Sequence, residues 1–146
     1  MITDDRLHHI LGVARKAQKL AEIFKPNNPQ FAKDMFLLGF LHDFGYEFMQ
    51  ENQAHGPVGG AILQRNQYQY WSEVAEHGLA QADMSDELFI LNCADMTVGP
   101  TGIECSMNER LEDIAVRYGK DSPAYQKALQ EMQILQNDRR YKLLNA

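Results

Sequence analysis

The stretch Met35-Phe36-Leu37-Leu38-Gly39-Phe40-Leu41-His42-Asp43-Phe44-Gly45 decides the fold, because an apolar run from Met35 to Leu41 stops on an imidazole beside a carboxylate. The run has no alternation of the strand type and reads as a helix from about Gln30 to about Phe44, apolar nearly all round, which predicts the central, buried helix of an all-α protein. His42 and Asp43 at its end can grip one divalent cation while a second carboxylate elsewhere closes the coordination. Alone, the pair reads equally as a helix-terminal histidine beside a capping aspartate. Its company is what singles it out, for His9, His55, His77 and Asp95 lie on either side in the chain.

Working outward, Leu7, Ile10, Leu11, Ala14, Ala17, Ala21 and Phe24 have helical spacing over Asp4 to Phe24, with Thr3 or Asp4 as cap and Pro26-Asn27-Asn28-Pro29 as terminator. Glu47 to Ala54 is polar and loop-like. His55-Gly56-Pro57 then opens a third helix that runs to about Asn66, and a short fourth spans Tyr70 to His77, stopping at Gly78. Ser85 and Asp86 cap a fifth, Glu87 to Val98, on which Leu88, Leu91 and Asp95 share a face. After the turn-rich Gly99-Pro100-Thr101-Gly102, a capping box Ser106-x-x-Glu109 starts a helix that ends at Gly119, and Ser122-Pro123 opens a last one to about Leu143. No segment alternates like a strand, so the fold class is all-α, a single-domain helical bundle over residues 1–146.

Geometry on the first helix separates its two histidines. At about 100° per residue, His9 falls on the flank of the apolar stripe beside Val13 and Leu20, whereas His8 points away. His9 is therefore the ligand candidate, although alone it also reads as a core-edge histidine satisfied by a hydrogen bond. His55 alone reads also as a loop residue, and His77 as a helix-terminal histidine favoured by the dipole. Asp95 is harder to explain without a cation, since it interrupts an apolar run on a face that packs inward.

With 146 residues and a net charge of −6, the chain can bury an ordinary core and is poorly suited to a nucleic-acid backbone, whose binding rests on Lys and Arg. The two cysteines, Cys93 and Cys105, lack CxxC spacing and read as reduced. The N-terminal MITDDRLHH has no apolar h-region, no stretch is long enough to cross a bilayer, and no basic amphipathic face or lipidation signal appears. The expectation is a cytoplasmic protein without membrane attachment.

These residues resemble the HD-domain superfamily of metal-dependent phosphohydrolases. The resemblance rests on Arg6-Leu7-His8-His9 followed by GVARKAQKLA, then LGFLHDFG, HGPVGGAIL, VAEHG and LNCADM, over roughly residues 6–98. The family's H...HD...H...H...D pattern falls on His9, His42, Asp43, His55, His77 and Asp95, filling every position of the six-ligand variant. The resemblance implies a metal-binding core over about 6–98, followed by C-terminal helices over about 106–143. It also implies one or two divalent transition metals per chain, drawn from Fe, Mn, Co, Ni or Zn, with Mg admitted too. His9, His42, Asp43 and Asp95 would hold one metal, and His55, His77 and Asp43 the other, with Asp43 bridging. His42 and Asp43 would be the catalytic pair.

The implied activity is hydrolysis of a phosphate ester or anhydride in a small metabolite or nucleotide by a metal-bound hydroxide. Two divalent metals against Asp43, Asp95 and a hydroxide leave a net positive centre suited to an oxyanion. Relatives that continue as HD-x-G-K or HD-x-x-K use that Lys on the phosphate, whereas this chain has Tyr46 and Glu47 there. Arg6 and Lys16, both near the His9 line of the first helix, are the candidate substrate-binding cations, and both read also as solvated surface residues. The segment ERLEDIAVRYGKDSPAYQKAL resembles a group of short, stand-alone HD proteins. Arg110, Arg117, Arg139 and Arg140 read either as substrate-facing or, foremost, as polar helix faces. Two other readings stand beside the hydrolase: a di-iron oxygenase of the HD type, as in myo-inositol oxygenase, and a non-catalytic scaffold that binds a nucleotide or partner protein.

Overall fold

The computed structural model describes residues 1–79 and 81–144. The elements that place the site are α1 (Asp4–Phe24), α2 (Pro29–Leu41), a 3-10 turn (Phe44–Glu47), α3 (His55–Arg65), α4 (Trp71–Glu76) and α5 (Asp86–Asp95). They are followed by α6 (Met107–Tyr118), α7 (Pro123–Asn137) and the short α8 (Tyr141–Leu144). Among the described residues there is no strand, only an isolated bridge between Val98 and Glu104, so the all-α expectation holds. None of the described helices is long and apolar enough to cross a membrane.

Side-chain caps start the helices at Thr3, Ser85, Ser106 and Ser122, where the sequence places them, and at Asn28, which the sequence reading assigned to the end of the first helix. Thr3 Oγ1 accepts from the Arg6 amide, Asn28 Oδ1 from Phe31, Ser85 Oγ from Leu88, and Ser122 Oγ from Tyr125. Each satisfies an amide that the first turn leaves without a partner. Ser106 and Glu109 form both halves of the capping box.

The central helix is α5, not α2. Leu88 to Ala94 are all buried, because α5 packs against α1, α2, α4 and α7. In contrast α2 packs on α1 and α5 along one face only, and Leu37 and Phe40 on its other face are 47% and 40% exposed. Apolar residues all round a helix thus do not guarantee burial all round. Gly39 allows α2 to lie close on α1: a Cβ there would stand 2.7 Å from the Ala14 Cα. This close approach sets the end of α2, with His42, beside the His9 turn of α1.

Three helix ends differ from expectation by several residues, and of these the fifth helix stops at Asp95 rather than Val98, with Met96 as its C-cap. The second helix stops at Leu41 rather than Phe44, and Asp43 adopts φ −106°, ψ 6° before the 3-10 turn. Adjacent side chains on a continuous helix diverge by about 100°, so this break lets His42 and Asp43 converge. Gly45 in that turn sits against the His55 carbonyl, where any side chain would collide. The last long helix stops at Asn137 instead of about Leu143. Asp138 is extended there, accepts from the Arg140 amide at 2.9 Å and is gripped by the Arg140 guanidinium at 2.9 and 2.7 Å. A local Asx-type turn competes successfully with the helix.

Candidate metal centre

Five helices and the turn after the second converge on one small volume. His9 comes from α1, His42 from the end of α2, Asp43 from the turn that follows, His55 from the first turn of α3, His77 from the end of α4 and Asp95 from the last residue of α5. Residues up to 86 positions apart in sequence come together, His9 Nε2 lying 2.9 Å from Asp95 Oδ1.

The Asp43 carboxylate stands between two groups of imidazoles. Its Oδ1 lies 3.0 Å from His55 Nε2 and 3.2 Å from His77 Nε2, while its Oδ2 lies 3.3 Å from His42 Nε2 and 3.7 Å from His9 Nε2. Asp95 Oδ1 serves the second group alone, 2.9 Å from His9 and 3.5 Å from His42. All four imidazoles therefore present the same nitrogen to the centre.

That choice of nitrogen is built into the backbone. Nδ1 of His9 donates to the Gly99 carbonyl at 2.9 Å, that of His42 to Gly39 at 2.6 Å and that of His77 to Val74 at 2.6 Å. A carbonyl can only accept, so the proton sits on Nδ1 and the neutral ring turns its Nε2 lone pair inward. Ligand histidines use the same arrangement to fix tautomer and orientation.

Lone pairs of imidazoles and carboxylates that face one another need a positive charge between them. Burial opposes charge on His42, but the adjoining Asp43 and Asp95 carboxylates outweigh it and hold its pKa well above the ordinary imidazole range. Burial likewise works against ionised Asp43 and Asp95, yet His42 above all holds both well below the usual carboxylate range. His42 Nε2 is fully buried and makes no well-directed hydrogen bond among the described residues, although carboxylate oxygens stand within 3.5 Å. An orphaned nitrogen amid hard and borderline donors suits a divalent cation. Two sets of side chains lie close enough to share one, His9 with His42 and Asp95, and His42 with Asp43 and His77.

The centre opens into a cavity of about 260 Å³ lined by His9, Asp43, His55, His77 and Asp95, with His42 buried behind them, and by Arg6, Tyr46, Arg110, Lys127 and Glu131. A larger groove of about 530 Å³ runs past Phe48, Pro57 and Ile62, but it contains none of the six candidate ligands. Arg6 reaches the centre: its Nη1 donates to Asp43 Oδ2 at 3.0 Å and its guanidinium covers the Tyr46 ring at 4.1 Å. Tyr46 in turn stacks on His55, with 4.0 Å between ring centroids.

Lys16 is not at the site. Its ammonium lies 3.7 Å from the Glu104 carboxylate, and it lines a separate small cavity with Cys93, Thr97 and Met107. The angular alignment with His9 is sound, but seven residues of helix carry Lys16 about 10 Å along the axis.

Two cavity residues, Lys127 and Glu131, escaped the sequence reading, and Arg110, read foremost as a polar helix face, joins them. These three line the cavity from α6 and α7, Arg110 also standing 3.7 Å from Asp113, whereas Arg117 pairs with Asp113 alone, and Arg140 with Asp86 and Asp138. Glu131 carried a usable signal. It lies on the helix face of Ala128 and Leu135, both buried, and an acid there asks for explanation as Asp95 did.

A family model described as the HD domain matches residues 6–138 of the chain. No curated protein and no solved structure matches it.

Proposed function

Since this chain belongs to the HD-domain family, with the match spanning most of its length, we propose that it is a metal-dependent phosphohydrolase acting on a small phosphorylated metabolite or nucleotide. The observation that carries the reading is the Asp43 carboxylate, which offers one oxygen to His55 and His77 and the other to His42 and His9. On this reading His9, His42, Asp43 and Asp95 hold one divalent first-row metal, and His55, His77 and Asp43 a second. Such ions, when bound, polarise phosphoryl oxygens and lower the pKa of water, supplying the nucleophile at neutral pH.

The chain's own residues orient and select. The Nδ1–carbonyl hydrogen bonds of His9, His42 and His77 keep their rings from rotating as ligands and substrate exchange. Arg6 donates to Oδ2 of Asp43 and, with Arg110 and Lys127, lines the cavity with positive charge that favours a phosphoryl group. Tyr46 and Glu47, which stand where relatives carry a phosphate-binding Lys, therefore do not leave the cavity without a cation. That favours hydrolysis over the oxygenase alternative.

The test is phosphate release from a broad panel of phosphate esters and anhydrides, with the protein loaded in turn with Mn, Co, Ni, Fe or Mg. Stimulated release is expected. Absence of release from every compound with metal demonstrably bound would overturn the proposal.

A further inference from the structure

Glu131 is only 6% exposed, and its Oε1 has no hydrogen-bond partner among the described residues although the residue lines the cavity over the metal centre. A buried acceptor left unpaired costs about 1–3 kcal/mol, a cost that a ligand bearing a donor removes. On the same lining is Arg110, whose Nη1 lies 3.7 Å from the Asp113 carboxylate while its buried Nε has no hydrogen-bond partner among the described residues. Helices α6 and α7 thus bring an unsatisfied acceptor and a guanidinium with an unsatisfied N–H to the cavity that holds the cluster.

The cavity also restricts what can enter. Its volume of about 260 Å³ falls below the roughly 300–1,000 Å³ of sites that enclose drug-sized ligands. A nucleobase would need an aromatic face, and Tyr46 has none to give. His55 stacks on it at 4.0 Å and the Arg6 guanidinium sits 4.1 Å from the same centroid, and two groups so close to one ring centre must occupy opposite faces.

Resting on the phosphohydrolase reading, we propose that Glu131 and Arg110 form a specificity site for a small hydroxylated phosphate monoester, Glu131 accepting a hydrogen bond from a substrate hydroxyl while Arg110 meets a phosphoryl oxygen. In the metal-free chain burial first, and the nearby Asp95 carboxylate second, push the Glu131 carboxyl up to about 8. A hydroxyl is a donor that its unpartnered oxygen can meet whether or not the carboxyl is ionised.

The experiment compares glycerol 1-phosphate with n-propyl phosphate, which lacks both hydroxyls, and with adenosine 5′-monophosphate, using the metal-loaded protein. Kcat/KM for phosphate release and the ligand-induced shift in Tm are both read, for the wild type and for Glu131→Gln and Glu131→Leu. The wild type is expected to prefer glycerol 1-phosphate over propyl phosphate by about tenfold or more, as sites built to bond a hydroxyl do. Glu131→Leu is expected to bring that ratio, and the difference in Tm shift, close to one, and Glu131→Gln to preserve part of each through its amide oxygen. A wild type that hydrolyses all three compounds without preference, or a ratio untouched in Glu131→Leu, overturns the specificity site while leaving the phosphohydrolase standing. No release from these three, with release from other members of the wider phosphate panel, overturns the specificity site alone, and no release from any member of that panel overturns both.

Discussion

The two imidazole groups around Asp43 are not held alike. His9 and His42 are 1% and 0% exposed, both have Nδ1 tied to a carbonyl, and both lie against the carboxylate of Asp95. In the other group His77 is tied to Val74 in the same way, but the His55 side chain is 28% exposed and is positioned by stacking on Tyr46. The difference teaches that preorganisation can be graded within one site. A deep group with fixed rings and two carboxylates should take a cation first and release it last. The outer group, which shares only Asp43, should exchange more freely.

Removing the residue common to both groups should have the largest effect. Asp43→Asn is expected to lower phosphate release by at least about 10³-fold and to reduce the metal content, measured by elemental analysis, for both groups at once. Loss of metal from one group alone would break the comparison at its centre.

Glu131 tests the deep group from the side of Asp95. In the metal-free chain its carboxyl is held near 8 against an ordinary 4.5, chiefly by burial and next by Asp95, with Lys127 and Arg110 acting in the opposite sense. A raised pKa means the folded state binds the proton more tightly. The resulting stability is complete below about pH 4.5 and is lost as pH rises through about 8. Urea unfolding in the presence of chelator should therefore show the wild type losing, between these limits, on the order of a few kcal/mol more than Glu131→Gln. Parallel pH profiles for the two proteins would remove Glu131 from the neighbourhood of the deep carboxylate.

His55 and His9 provide the direct contrast. His55→Ala should retain about one metal per chain and lose roughly 10²-fold in phosphate release, since only the outer group is opened. His9→Ala should lose the tightly held ion and leave Asp95 short of a partner. Metal titration followed by calorimetry would distinguish the two, and equal losses from both variants would erase the grading.

What the sequence made legible follows the range of the physics involved. Caps are local, so Thr3, Ser85, Ser106 with Glu109, and Ser122 marked helix starts correctly. The six His and Asp side chains were legible because their residue types and order carry a family pattern, and all six meet in the fold. Long-range packing was not legible. Nothing local to α2 says that its Leu37 and Phe40 face solvent, or that α5 is the helix enclosed by four others. Arg110 and Glu131 come to the cavity only because α6 packs on α7 and α7 on α5. Lys16 shows the converse error, in which direction around a helix was read correctly and distance along it was not.

Arg6 offers the smallest and most selective test, because it touches the carboxylate shared by the two groups without belonging to either. Its guanidinium donates to Asp43 Oδ2, the oxygen turned toward His9 and His42, and covers the ring that supports His55. Lys can keep the charge but cannot reproduce the planar stacking on Tyr46 together with a directed hydrogen bond to Asp43. Arg6→Lys is therefore expected to raise KM for a phosphate ester by roughly threefold to tenfold, with a smaller change in kcat, and to loosen the outer metal more than the deep one. Were the deep metal to weaken first, Asp43 Oδ2 would depend on Arg6 more than on the His9 and His42 pair, and the order of the two groups would have to be reversed.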